Sequence, residues 1–371
     1  MGLRWVEAIK LVVWSRIVYL AVAYLAASFL STSDGSSSVG VLEMWTRWDA
    51  RHFLEVAEFG YTDPRTDPHA TGFFPLYPLL IRALSSTGMA PALAGMMIST
   101  VASMVAVAYL DRLAEEELGP DAGRRASLYL LFFPTAVFLV APYSEALFLA
   151  GTIPAFYYAR RGIWLPAGAF AAIAMGARAA GAFVIVGLAL EFVRARRFRA
   201  AVSGHALAAG ALALLPLVAY SLYLARAKGD PLYFFIDQRE GWGRELSGPL
   251  EALRTTWGAT RVDAGEGALT NFVIGWRVEI VAVVLGLGAV AWALAKKEWG
   301  YAGFMGALLA SLMTSSVYLS VPRMLLSMFP IALFLAGWSG VDHRRHEAVL
   351  LAFAAVAMLG TVAFTRQAWF Y

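Results

Sequence analysis

The 371-residue chain contains no cysteine, which closes off disulfides, thiolate metal sites and thiol catalysis. It is also poor in charge: 15% of its residues are Asp, Glu, Lys or Arg, against 60% that are apolar. Too little polar surface is left to cover a water-soluble globule of this size, so the composition describes an all-α polytopic membrane protein. No basic tract is interleaved with aromatics, and the formal net charge of +4 comes almost wholly from arginine. Such arginines report membrane orientation, and a nucleic-acid partner is excluded. A Gly-rich phosphate loop, a G-x-S-x-G elbow and an H-E-x-x-H helix are all missing, so nucleotide, serine-hydrolase and zincin chemistry lack their apparatus. No repeat, heptad or low-complexity segment is present.

What the chain does have is apolar runs of bilayer length. The first, AIKLVVWSRIVYLAVAYLAASFL, is longer than a signal-peptide core and reads as an uncleaved span in which Arg16 snorkels. Candidate spans fall at about 8 to 30, 91 to 110, 126 to 141, 143 to 160, 163 to 177, 181 to 193, 202 to 225, 272 to 295, 299 to 319, 323 to 340 and 347 to 364, about 11 in all. Residues 72 to 89 hold two prolines and Arg82 and read as an interfacial or re-entrant piece. STSDGSSSVG, residues 31 to 40, reads as a flexible connector.

With that assignment the connections DRLAEEELGPDAGRR, RRG, RARRFRA, KKE and VDHRRHE lie on one side, each with at least two basic residues, as the positive-inside rule requires of a cytoplasmic face. The first outer segment, 31 to 90, and the second outer loop, 226 to 271, then share the other face. Asp49, Tyr143, Glu145, Arg178 and Arg323 lie at outer ends of spans, which predicts one outward-facing site within a single transmembrane domain, 1 to 371.

At helical spacing Trp45, Trp48, Asp49, His52, Phe53, Val56 and Phe59 share one face of an amphipathic helix, with Arg51 and Glu55 paired four apart on the other. Partial burial of Asp49 is expected to raise its pKa toward the range of a general base; the plainer alternative makes it a helix N-cap. Glu145 in PYSEALF is either a first-turn cap or a ligand. Arg178, between Gly176 and Gly181 in an apolar stretch too long for one span, marks a break and meets either a bound anion or a structural partner such as Glu145. Arg323, after Pro322, either serves the site or snorkels to lipid phosphates. The loop FFIDQREGWGRELSGP offers Asp237, Arg239, Trp242 and Arg244 for carbohydrate contact. His69 with Asp63 and Asp67 shows no ligand-spacing motif, so no metal site is assigned.

The order WDARHFLEVAEFGY, FFPLYPLL, PYSEALF, ARAAG, QREGWGR and VPRMLLSMFP, from about residue 45 to 335, resembles the family of the second mannosyltransferase of glycosylphosphatidylinositol assembly, with its bacterial relatives, in the GT-C superfamily. The resemblance implies a GT-C-like enzyme with outer-face amphipathic and re-entrant helices. It would transfer a sugar, usually mannose, from a polyprenyl- or dolichyl-phosphate donor to a glycolipid, glycan or glycoprotein acceptor by inverting displacement on the non-cytoplasmic face. It implies Asp49 as general base, with Trp48, His52, Tyr143, Glu145, Arg178, Arg239, Trp242 and Arg323 at the substrates. The lipid-phosphate sugar is a substrate, and no cofactor is implied. Eukaryotic members carry polar residues where this chain has Ala179 and Ala180, which points to a bacterial-type acceptor and a bacterial or archaeal plasma membrane. The rival reading is a transporter or flippase whose intramembrane Arg and Glu line a path; no internal symmetry of paired halves accompanies it.

Overall fold

The computed structural model describes residues 4–31, 40–195, 204–261 and 270–368; nearly all of the connector predicted at 31 to 40, and most of the basic stretch 194 to 200, lie outside them. The described residues form α1 (Trp5–Phe29), α2 (Asp49–Phe59), α3 (Leu76–Ser85), α4 (Pro91–Leu118), α5 (Ala122–Leu131), α6 (Glu145–Ala159), α7 (Trp164–Ala177) and α8 (Gly181–Ala195). They continue through α9 (Gly204–Lys228), α10 (Tyr233–Trp242), α11 (Pro249–Ala259), α12 (Thr270–Ala295), α13 (Trp299–Met313), α14 (Val321–Ser327), α15 (Pro330–Ser339) and α16 (His343–Thr365). Each predicted span is matched by one helix except two: 126 to 141 is α5 followed by a 3-10 turn at Ala136–Leu139, and 323 to 340 is α14 and α15, which meet at a 76° bend. The protein is a multi-pass integral membrane protein.

The helices fall into two length classes. Five of them, α1, α4, α9, α12 and the C-terminal α16, are long and apolar enough to cross a membrane alone, and the bent pair makes a sixth. The rest of the predicted spans are helices of 10 to 15 residues, roughly 15–22 Å at 1.5 Å per residue and short of the ~30 Å hydrocarbon core. A short helix leaves backbone ends at membrane depth, which is tolerated only where protein surrounds them. Accordingly α6 is buried at nearly every position and sits at the centre of a continuous core running from Tyr19 to Phe364. Small residues let its neighbours close in: a Cβ on Gly151 would stand 2.5 Å from the Ala174 nitrogen, and one on Gly168 would stand 2.4 Å from the Ala209 carbonyl oxygen.

α3 is ten residues long and packs on α2 and α4, in keeping with a segment that does not cross. Arg16 does not snorkel. It is 7% exposed, and its guanidinium donates to Ser15, Thr100, Ser103 (2.6 Å) and the Leu139 carbonyl (2.8 Å), tying α1 to α4. Hydroxyls from a neighbouring helix satisfy the donors more cheaply than dragging the stem to the interface would.

Charges collect at the two ends of α6. At its C-terminal end Arg160 donates to Glu117 at 2.6 Å, to Glu191 at 3.1 Å and to Glu298, while its guanidinium lies 3.9 Å over the Tyr301 ring and Arg194 shares Glu298 at 2.8 Å. These residues come from or flank four of the five predicted cytoplasmic connections. The fifth joins through Arg125, which donates to the Ala336 carbonyl near Gly340. The connections gathered in sequence by the charge rule are therefore gathered in space. Arg160→Ala removes the one cation shared by three carboxylates, so we expect a loss of about 3–5 kcal/mol, read as a lowered unfolding midpoint in detergent.

Candidate active site

The opposite end of α6 carries a chain of four charges. Glu145, the first residue of α6, is fully buried, and its Oε1 accepts from both Arg178 and Arg323; Arg323 also donates to Asp49. Side-chain exposure falls from 29% at Asp49 to 17% at Arg178, 7% at Arg323 and none at Glu145. Asp49 is thus the most exposed of the four. The Arg323 guanidinium also lies 4.8 Å and 4.7 Å over the rings of Phe138 and Tyr143, which fix its plane, and the Tyr143 hydroxyl donates to the Arg47 carbonyl at 2.8 Å. The structural alternative for Arg178, pairing with Glu145, is the contact observed. Arg323 is too deeply buried to snorkel to lipid phosphates.

Local backbone places each of these groups. Asp49 is not an N-cap. It is the first residue of α2, Trp48 holds the cap position at φ 53 without a side-chain capping bond, and the Asp49 carboxylate is turned to Arg323. A bulky residue at positive φ is strained, by about 1–3 kcal/mol, and such strain gathers where a side chain must be aimed. α7 ends at Ala177, Arg178 is extended (φ −157, ψ 149), and α8 begins at Gly181. Only glycine fits at 181, because a Cβ there would lie 2.3 Å from the Met175 Cα. The predicted break is therefore what projects Arg178. α14 starts after Ser320 (φ 64), and the buried Glu279 of α12 accepts from the backbone nitrogens of Ser320 at 2.6 Å and Val321 at 2.7 Å. That carboxylate at a helix N-terminus holds the turn that presents Arg323. Sequence reasoning missed Glu279, although a lone acid inside the apolar run 272 to 295 was a readable signal.

Electrostatics at Asp49 run opposite to the sequence expectation. Burial by itself would push its carboxyl up, but Arg323 by charge and hydrogen bond, with His52 and Arg178 beyond it, holds it below the usual carboxylate range. His52 stacks on Phe73 at 4.8 Å, and its Nδ1 faces Asp67 at 3.8 Å and Glu55 at 4.0 Å. It therefore forms the wall beside Asp49. The predicted Arg51–Glu55 pair is present at 2.7 Å on the outer side of the same helix.

The second outer loop is strapped over the first segment. Asp237, fully buried, accepts from the Thr71 nitrogen at 3.0 Å and hydroxyl at 2.5 Å, while Tyr220 donates to the Thr71 carbonyl at 2.8 Å. The Trp242 ring lies 5.5 Å from Phe73 and 6.2 Å from His52, continuing the aromatic wall, and Trp48 is 42% exposed at the rim. Arg239 is turned away, 57% exposed and 3.5 Å from Glu240. The arginine of this loop that lies within electrostatic reach of Asp49, Arg178 and Arg323 is Arg244, whose guanidinium is held below its usual value by burial and by the two like charges, with Asp49 and Glu279 opposing. His69 faces Asp237 at 3.4 Å, away from Asp63, which pairs with Arg65 at 2.9 Å. Among the described residues no three His, Asp or Glu side chains gather as a metal cluster.

The family model described as "Mannosyltransferase (PIG-V)" matches residues 24–206. GPI alpha-1,6-mannosyltransferase 2 of Mus musculus is 36% identical over 155 residues, covering 38% of this chain and 30% of that protein. The Homo sapiens protein of the same name is 35% identical over 156 residues, with the same shares. The chain thus spans about 30% of the length of the curated relatives it matches. Among solved structures, the crystal structure of ArnT from Cupriavidus metallidurans bound to undecaprenyl phosphate is similar, with a TM-score of 0.56 at 17% identity over 95% of this chain and 64% of that one. Over residues 24–206, just under half of the chain, the sequence matches the mannosyltransferase (PIG-V) family, and the helical membrane fold around the four charged groups is like that of ArnT.

Proposed function

We propose that the protein transfers a sugar, mannose first among the candidates, from a polyprenyl- or dolichyl-phosphate donor to a glycolipid, glycan or glycoprotein acceptor. The observation that carries this reading is the Asp49–Arg323–Glu145–Arg178 chain, in which Asp49 is the most exposed member and Arg323 and Glu145 are buried between the two ends. The match to the mannosyltransferase (PIG-V) family and the likeness to a fold seen with a lipid phosphate support the donor class. We read residues 1–371 as one transmembrane catalytic domain. We place the site on the non-cytoplasmic side, supported by the arginines gathered at the other end of α6, in a bacterial or archaeal plasma membrane, supported by Ala179 and Ala180. A transporter reading has less support, because these charges close on one another at one end of the bundle and line no path.

In this reading the acceptor hydroxyl gives its proton to Asp49 as its oxygen attacks the anomeric carbon. The bond from that carbon to the phosphate oxygen breaks, a glycosidic bond forms with inversion, and the lipid phosphodiester leaves as a monoester carrying one more negative charge. Once protonated, Asp49 no longer holds Arg323, whose fork is then free for the phosphate oxygens. A pair that is closed in the resting protein opens as the reaction proceeds.

Asp49→Asn keeps the shape and removes the base. We expect it to abolish donor consumption in a panel of short-chain polyprenyl-phosphate sugars, with membrane lipid extract as acceptor, while polyprenyl phosphate still binds; near-normal turnover would remove Asp49 as base. Because the folded carboxyl is lowered, Asp49 is ionised at neutral pH, and its pairing stabilises the fold above the unfolded carboxylate value, a contribution lost as pH falls through the lower folded one. The acid limb of kcat/KM should therefore lie below the usual carboxylate range, and Arg323→Met should move the limb of the residual activity to higher pH. A limb that stays in place separates Asp49 from the rate.

A further inference from the structure

The four-membered chain is electrically closed: two carboxylates face two guanidinium groups, and neither Arg178 nor Arg323 has charge to spare for an arriving anion. Arg244 differs. Its Nη1 donates to the Gln238 side-chain oxygen at 3.2 Å, and among the described residues no carboxylate pairs with it. The Nε–Nη2 edge is left without a protein acceptor among the described residues, and that edge has the spacing of two phosphate oxygens.

The surrounding backbone holds this side chain at the site. Arg244 donates its backbone nitrogen to the Gln238 carbonyl at 3.0 Å as the chain turns at Gly243 (φ 61). Gln238 packs against Gly72, where a Cβ would lie 2.5 Å from its Nε2, and Asp237 binds Thr71, so α10 is fastened to the first outer segment. On the other side, Ser316 donates its nitrogen to the Glu245 carbonyl at 2.8 Å and its hydroxyl to the Gly243 carbonyl at 2.6 Å, and the Ser247 nitrogen donates to the Thr314 carbonyl at 2.8 Å. Residues 243–247 therefore bridge the segment that carries Asp49 and the segment that leads into α14 and Arg323.

We propose that Arg244 is the residue that first takes the donor phosphate, rather than Arg178 or Arg323. The inference rests on the lipid-phosphate reading above and deepens it. The positive charge of Arg244, which no carboxylate pairs among the described residues, matches the single negative charge of a phosphodiester and can take it without breaking the Glu145 pairs. Transfer adds no net charge: the proton that discharges Asp49 comes from the acceptor hydroxyl, while the departing phosphate gains one negative charge. Arg323, released by Asp49, then joins Arg244 on the monoester.

The test uses the purified full chain in nanodiscs, with a short-chain polyprenyl-phosphate mannose as donor, sugar-free polyprenyl phosphate as ligand and membrane lipid extract as acceptor. Arg244→Met keeps the aliphatic stem and removes the charge. It should raise both the donor KM and the Kd for polyprenyl phosphate at least about tenfold, with the half-saturating amount of extract little changed. Arg244→Lys should recover part of both. Unchanged donor KM and Kd in a protein whose wild type turns over overturn the inference, as does a rise confined to the acceptor side. If Arg244→Met does not fold, Arg244→Lys and Gln238→Ala, which keep a charge but loosen its fork or its tether, report the same two constants, and no change in either variant also overturns it. A wild type that consumes no lipid-phosphate sugar fails the function reading itself, whatever its Kd.

Discussion

One buried carboxylate oxygen organises the site end of the molecule. Glu145 sits where α6 begins, with no exposure to water, and its Oε1 takes hydrogen bonds from Arg178 and Arg323. A carboxylate at that depth is costly unless it is paired, and each arginine is costly unless it is met. The three therefore require one another, and their pairing demands that the α7–α8 break and the start of α14 converge on the first turn of α6. Asp49 is joined only through Arg323, which is why it keeps both a partner and an open side.

The helix lengths follow from the same demand. Helices shorter than the bilayer are stable in it only when protein covers their ends. The long helices on the outside supply that cover, with α6 as the central post and an ion network at each end. The Arg160 cluster and the Glu145 cluster use the same chemistry for different purposes: the first is closed by three carboxylates around one guanidinium, the second leaves Asp49 accessible. Strain is spent at the accessible end, where Trp48 and Ser320 adopt positive φ beside the helices that carry Asp49 and Arg323.

Much of the site could be read from the residues. Asp49, Glu145, Arg178 and Arg323 stand out because charge in an apolar chain is expensive and so must be answered, and the charge rule sorted them to one face before any contact was known. The break at Arg178 and, within the helix predicted at 45 to 59, the amphipathic part from Asp49 to Phe59 were readable for the same reason, since periodicity and glycine spacing are local properties; Trp45 lies in a separate 3-10 turn. The loop residues were not separable. Arg239 and Arg244 lie five apart in one polar stretch, and only the turn at Gly243 and the bonds to Ser316 decide that the second faces the site while the first faces out.

By itself, then, the sequence determined a helical membrane protein, the face on which its charges gather and the identity of the four central groups, because transfer free energies act on each residue wherever it is placed. The tertiary structure alone decided who pairs with whom. It lowered the Asp49 carboxyl where burial would have raised it, set Asp49 in a salt bridge where the plainer alternative made it a cap, and buried Arg16 among hydroxyls. Those outcomes depend on distances between segments hundreds of residues apart, such as the 274 positions between Asp49 and Arg323. Electrostatic interaction falls with distance in space, and sequence separation carries no record of it.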